Sequence, residues 1–454
     1  MINKFFTYVS FTLKTLYKSN LHNAKRFYLA LFLVVFILIN ARQSRITNFG
    51  CEICADKAGY YMYLPAIFHL GFGASNYEDG FDNRHGDGFR IDRENDKIIT
   101  KFTSGVALLL LPFYAIGALI ASIFGLDIHP YSGFYLFFVN IGAAFYLALG
   151  LFFLRKWLNF YVDTNSSLFS VLVIFFGTNL YYYTLDETLM SHLYSFTMFS
   201  TLLYGLKSFS ETKKWKPFLL FIIPLSIAVL IRPTNVLFGL IALFTDVNKF
   251  SVLRNKLLLL LSPKYLFAGA TIFAIIMMPQ FFYWNFAFGK YIVWSYEGEG
   301  FTYWNNPQFL TVWFSPQSGL FTYTPLVFLS IIVSIILLNR KNTIPNAFSN
   351  SILMLITFFM VSYMCASWNN PYFGICNFGK RPMVEYLPIM MLPFSYFFAR
   401  FNSFRKTFSN IILALILLMV LYNLALFRAF DTCFFGETWE WEKFGQLIKN
   451  AIPI

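Results

Sequence analysis

Charge is what this chain of 454 residues has least of: 13% of it is Asp, Glu, Lys or Arg, against about 25% in an ordinary soluble domain. Water cannot be the solvent for most of its surface, so a soluble domain of any size is excluded. Cysteine is scarce as well, with five in all, and these say little about chemistry. Cys51-Glu-Ile-Cys54 has CxxC spacing, but one such pair without a second pair or histidine partners is a weak zinc signal, and a structural pairing or free thiols is the plainer reading. No repeat or low-complexity linker divides the sequence, which reads as one domain, 1–454. Nothing in it suggests a nucleotide-binding fold.

Apolar residues are what it has instead. They make up 57% of the chain, with 59 Phe and 21% aromatics, a bias that suits lipid-facing and interfacial positions. Runs of about 17 to 25 apolar residues recur, and in hydrocarbon each must be a helix because its backbone polar groups have no other partner. The expected fold is therefore all-α, crossing a bilayer about eleven times. The net charge of +13 would suggest nucleic acid in a soluble protein. Here the basic residues follow the positive-inside rule, and no nucleic-acid partner is expected.

Lys4, Lys14, Lys18, Lys25 and Arg26 precede the first run, 27–41, which places the N-terminus in the cytoplasm; without a small-residue cleavage site the run reads as an uncleaved anchor. Further crossings are expected near 132–154, 166–184, 193–210, 217–232, 234–247, 265–288, 320–338, 347–367, 383–399 and 408–428. The basic connections Arg155/Lys156, Lys213/Lys214/Lys216, Lys249/Arg254/Lys256/Lys264, Arg340/Lys341 and Arg400/Arg405/Lys406 share the cytoplasmic side of the N-terminus only if the apolar segment 103–125 does not cross. Gly105, Pro112, Gly117 and Gly125 suit a bent segment lying along the outer interface, or dipping in and returning.

This parity leaves a first loop, 42–131, a turn, 185–192, two loops, 290–319 and 368–382, and a tail, 430–454, on the outer side. The polar stretch 76–97 reads as a mobile part of the first loop. Its Asp82-Asn-Arg-His-Gly-Asp-Gly lacks EF-hand ligand spacing, so a solvated loop is expected there.

Polar groups at the outer ends of membrane helices are where function is to be sought, because burying them near hydrocarbon is costly unless they are used or paired. Asp56 opens an aromatic segment that includes Tyr60 and Tyr61; it could equally be a helix-capping carboxylate. Asp186, Glu187 and His192 crowd one turn. Lys101, Arg232, Lys380 and Arg381 sit where the positive-inside rule disfavours cations and where a phosphate would need them, although singly each could snorkel to headgroups. Trp294, Tyr296, Glu297, Glu299, Trp304 and Trp368 could stack on and bind a sugar, or form an ordinary interfacial belt.

The order of these groups resembles the GT-C superfamily of membrane glycosyltransferases, in particular the bacterial branch similar to protein O-mannosyltransferases and the lipid A aminoarabinose transferase. Asp56 matches the acidic residue that follows the first helix in that superfamily, and Asp186, Glu187 and His192 match its second acidic motif. Lys101 looks like a lipid-phosphate contact of the aminoarabinose branch, without that branch's Lys-Pro-Pro surroundings. The resemblance implies a bacterial inner-membrane enzyme with its active site on the outer face, taking a sugar from a polyprenyl phosphate with inversion. Lys101, Arg232, Lys380 or Arg381 would hold the phosphate and Asp56 would act as base. Tyr60, Tyr61, Trp294, Trp304 and Trp368 would line the sugar or acceptor site, and Glu187 and His192 would orient the acceptor or bind a divalent cation. The acceptor is left open. A lipid-linked sugar flippase or transporter is the competing class, and a polysaccharide polymerase or ligase is the competitor of similar chemistry.

Overall fold

A computed structural model describes residues 21–43, 52–86, 88–296, 298–339, 344–374, 377–430 and 439–451. Cys51, Cys376 and Cys433 lie outside this set, as do Lys4, Lys14, Lys18, Glu297, Arg340 and Lys341. The chain is predominantly helical, and six described helices are long and apolar enough to cross a membrane.

In chain order the principal helices are α1 (Leu21–Gln43), α2 (Asp56–Tyr61), α3 (Gly105–Ile123), α4 (Gly133–Leu158), α5 (Thr164–Gly177), α6 (Ser191–Thr212), α7 (Trp215–Ile231), α8 (Val236–Leu243), α9 (Phe250–Leu260), α10 (Pro263–Phe288), α11 (Pro325–Leu338), α12 (Ala347–Ser367), α13 (Leu392–Ala399), α14 (Lys406–Ala429) and α15 (Trp441–Ala451). Local chemistry sets their ends. Asp163 caps α5 by accepting from the backbone N–H of Asn165 and Ser166, and Pro263 and Pro325 occupy the first turns of α10 and α11, where a missing N–H costs nothing. Small residues let the bundle close: a Cβ on Gly205 of α6 would stand 2.3 Å from the Leu220 carbonyl of α7, the backbone approach typical of helix packing in lipid.

Two expectations for the first loop change. The segment expected to bend along the interface or dip in and return is one continuous helix, α3, despite Pro112. It packs antiparallel to α4: Gly142 faces Leu110 and Phe113, Gly117 faces Phe138, and the Tyr146 hydroxyl donates to the Leu109 carbonyl at 2.9 Å. The stretch 76–97, expected to be mobile, is folded. Arg90–Asp92 (β1) pairs antiparallel with Lys97–Ile99 (β2). The Asp82 carboxylate accepts from the backbone N–H of Ile91 at 2.9 Å and of Asn83 at 3.1 Å, so it shapes the hairpin. Phe81, Phe89, His85 and Tyr131 pack together beneath it.

The residues leading into and out of α3 meet one short aromatic stretch. Phe102 packs on Tyr60 with ring centroids 4.6 Å apart and accepts from the Tyr63 hydroxyl at 2.7 Å, while the Tyr61 hydroxyl donates to Pro130 at 2.6 Å. Tyrosines from one turn of chain thus tie both ends of the segment together.

Candidate functional site

A cavity of about 460 Å³ lies where α2, the entry to α3, the Arg232 end of α7, the end of α12 and the turn Arg381–Tyr386 converge. Asp56, Lys101, Arg232, Glu299, Arg381 and Glu385 supply its charges. Trp294, Phe301, Val361, Met364, Trp368 and Phe373 supply much of its apolar lining.

Backbone geometry aims Asp56. Ala55, immediately before it, has φ 51° and ψ −133°, a conformation that strains a non-glycine residue by about 1–3 kcal/mol. What enforces it is the backbone of His85 and Gly88. Ala55 donates its N–H to His85 at 2.8 Å, and the Gly88 backbone lies so close that an added Cβ would stand 2.0 Å from the Ala55 carbonyl oxygen. The Asp56 carboxylate then meets the Arg381 guanidinium at 3.0 Å.

Two of the cations are brought together by a second close approach. Thr103 donates its hydroxyl to the Ile231 carbonyl at 2.8 Å, and Gly105 sits against the Ile231 backbone with no room for a side chain. This docks the Lys101 segment on the end of α7. Pro233 disfavours helical geometry in the residue before it. Arg232 accordingly leaves the helix with φ −152° and ψ 124° and turns into the cavity. Its NH1 donates to Glu385 Oε1 at 3.1 Å, its Nε faces the Tyr60 hydroxyl at 3.4 Å and its NH2 faces His192 Nε2 at 3.4 Å; His192 Nδ1 lies 2.8 Å from Glu385 Oε2. Lys101 meets Glu299 at 2.5 Å, and Ser295 donates to the Lys101 carbonyl.

Each cation of the cavity therefore already faces a carboxylate: Arg381 with Asp56, Arg232 with Glu385, Lys101 with Glu299.

Of the residues expected from sequence, Asp56, Lys101, Arg232, Arg381, Trp294 and Trp368 line this cavity. Tyr60 and His192 stand behind it, buried, and reach it through Arg232. The others lie elsewhere. Asp186 is held by Arg42 of α1 at 3.0 Å, and Arg42 also donates to the Phe430 carbonyl at the end of α14. Glu187 pairs with Lys57 at 3.5 Å; burial opposes the Lys57 charge, but Glu187, Glu52 and Asp186 more than offset it and raise its pKa. Lys380 is fully buried, donating to Ser318 at 3.1 Å and to the Pro371 carbonyl at 2.5 Å, and burial pushes its ammonium down to about 7. It ties loops together and is out of reach of a ligand. Tyr61 is a core residue, and Trp304 packs edge-on against Tyr363 with half its surface exposed.

Glu187 and His192 each have a partner of their own, Lys57 for the one and Glu385 for the other. Among the described residues no three His, Cys, Asp or Glu side chains cluster as metal ligands.

Sequence reasoning missed Glu385. Its signal was available, because it is a carboxylate inside the apolar run 383–399, and an acid at such a position is expensive unless paired or used. No family model matches the chain, and no curated protein matches it.

Proposed function

We propose that the protein is a membrane glycosyltransferase of GT-C type, moving a sugar from a polyprenyl-phosphate donor to an acceptor hydroxyl at the outer membrane face. The observation that carries this reading is one cavity in which three cations and three carboxylates adjoin an apolar lining. A lipid phosphate needs the cations and the apolar surface; acceptor activation needs a carboxylate.

In the proposed reaction the acceptor oxygen attacks the anomeric carbon, and the sugar–oxygen bond to phosphate breaks on the opposite side. The phosphate departs with the electron pair, and its growing charge is met by Lys101 and Arg232. Asp56 takes the acceptor's proton. Arg381 keeps the Asp56 carboxylate oriented.

Asp56 and Lys101 from 42–131, Glu299 from 290–319 and Arg381 from 368–382 meet in one cavity, which supports placing these segments on one side, with about eleven crossings and an outer cavity. Cys54 is disulfide-bonded, and such bonds persist in oxidising compartments. This too favours the outer side, with the N-terminus in the cytoplasm of a bacterial inner membrane.

The reading is tested by incubating purified protein in lipid nanodiscs with labelled polyprenyl-phosphate sugars and measuring sugar release and transfer. No turnover with any donor, alongside donor translocation, would replace it with the flippase.

A phosphate entering at Lys101 competes with Glu299. Lys101–Glu299 is the pair most open to exchange, with side chains 38% and 30% exposed against 2% for Glu385. Glu299→Gln should therefore tighten binding of polyprenyl phosphate roughly two- to fivefold, the scale of an exposed ion pair. Unchanged or weaker binding in a nanodisc titration would place the phosphate away from Lys101.

Gly88→Ala tests the positioning of Asp56 without touching the cavity. The added methyl would have to displace Ala55 and α2, and a shift of about 1 Å at the base costs roughly 100-fold in turnover. Wild-type turnover in this variant would mean that the close approach of Gly88 does not aim Asp56.

A further inference from the structure

Glu385 is the most buried charge of the cavity, and its two oxygens serve two partners. Oε1 accepts from Arg232 NH1 at 3.1 Å and Oε2 is 2.8 Å from His192 Nδ1. Because a guanidinium only donates, the approach of Arg232 NH2 to His192 Nε2 at 3.4 Å requires that nitrogen to accept. Nδ1 then carries the imidazole proton and donates it to Glu385. The three side chains close a ring in which every donor faces an acceptor. The Tyr60 hydroxyl, 3.4 Å from Arg232 Nε, holds the third nitrogen.

The elements behind this ring are fixed. His192 lies in the first turn of α6, fully buried, with the Tyr183 ring against it edge-on at 5.1 Å. Glu385 is on the short helix Arg381–Tyr386, and the next residue, Tyr386, packs against Phe199 of α6 and Phe238 of α8. Neither His192 nor Glu385 has room to swing. Arg232 is different: it follows the end of α7 in extended backbone and lines the cavity. Left to itself, its long side chain would lose rotamer freedom on every binding event. The ring removes that cost and leaves the remaining guanidinium N–H groups for an anion.

We infer that Glu385, braced by His192, is a positioning residue that presents the Arg232 guanidinium to an anionic group of the ligand. This rests on the glycosyltransferase reading, in which that group is the lipid phosphate. It also reassigns His192 from acceptor or metal contact to support for Arg232.

The test uses full-length protein in nanodiscs with polyprenyl phosphate as the probe, for wild type, Glu385→Gln, Arg232→Gln and the double variant, together with KM and kcat for the sugar donor. Glu385→Gln should weaken probe binding and raise donor KM roughly 10- to 100-fold, the scale of a lost charge-assisted hydrogen bond. kcat should fall with it, because Arg232 also meets the growing charge on the departing phosphate. In the Arg232→Gln background Glu385→Gln should have no further effect, because Glu385 acts through Arg232. The double variant removes both charges and leaves neither buried without its partner, so it reports even where Glu385→Gln folds poorly. Wild-type-like KM and binding in Glu385→Gln, or losses that add in the double variant, would overturn the positioning role alone. Wild-type protein that binds no polyprenyl phosphate would overturn the glycosyltransferase reading, and the positioning role with it.

Discussion

Asp56→Asn should lower sugar transfer by about 10²- to 10⁴-fold, the usual contribution of a positioned general base, while donor affinity stays within about threefold or improves. The asymmetry follows from the ion pair. Asparagine keeps a carbonyl oxygen for Arg381, so the loop geometry should survive, but it cannot take a proton. Loss of the negative charge leaves the Arg381 guanidinium, 3.0 Å away in the wild type, more available to a phosphate. A residue that served only to hold Arg381 in place would behave otherwise: its loss would raise donor KM and spare kcat. Labelled-donor turnover and polyprenyl-phosphate binding, measured on the same nanodisc preparation, separate the two. Turnover equal to wild type would remove Asp56 from the role of base and turn attention to Glu299, the other partly exposed carboxylate of the cavity.

Much of the helical framework was legible because apolar runs end where charge, proline or glycine intervenes. The expected spans 132–154, 193–210, 265–288, 347–367 and 408–428 correspond to Gly133–Leu158, Ser191–Thr212, Pro263–Phe288, Ala347–Ser367 and Lys406–Ala429. Reading failed where hydropathy persists but backbone geometry does not. The run 166–184 breaks at Thr178, whose hydroxyl turns back to the Ile174 carbonyl at 2.6 Å. The run 383–399 is divided into short helical pieces, with Pro382, Pro388 and Pro393 at their first turns, because a residue without an N–H cannot continue an α-helix through its interior. α9 was read as a basic connection. Arg254, Asn255 and Lys256 interrupt it between Leu253 and the short run Leu257–Leu260, so no long apolar run marks it.

The charges of the site were legible one at a time, since each is out of place in an apolar chain. Their pairing was not. His192 and Glu385 lie 193 residues apart, and nothing in either local sequence points to the other. Close spacing misled in the opposite direction. Asp186, Glu187 and His192 occupy one turn, yet their side chains meet Arg42, Lys57 and Glu385 respectively. A turn between two helices exposes successive residues to different neighbours, so adjacency along the chain does not put side chains in one place.

Asp186 is the residue for which this distinction has the largest consequence. Asp186→Ala should destabilise the protein by about 3–5 kcal/mol, the cost of removing one partner from a buried ion pair, and should leave turnover per folded molecule close to wild type. Arg42 Nε and NH2 lie 3.0 to 3.2 Å from the Asp186 carboxylate, and the Arg42 guanidinium also lies 4.9 Å from the Phe427 ring centroid and donates to Phe430. The pair therefore fastens α1 to both the turn before α6 and the end of α14. With alanine, the guanidinium keeps its carbonyl and ring contacts but loses its counter-charge in a buried setting. Replacing both members by apolar side chains, Arg42→Leu with Asp186→Leu, should recover much of the loss, since the desolvation of two charges disappears together with their attraction. Thermal or denaturant unfolding in detergent, alongside donor turnover normalised to folded protein, decides the matter. Undiminished stability with turnover lowered by 100-fold or more would return Asp186 to the catalytic machinery and require a ligand path from the cavity to the Arg42 pair.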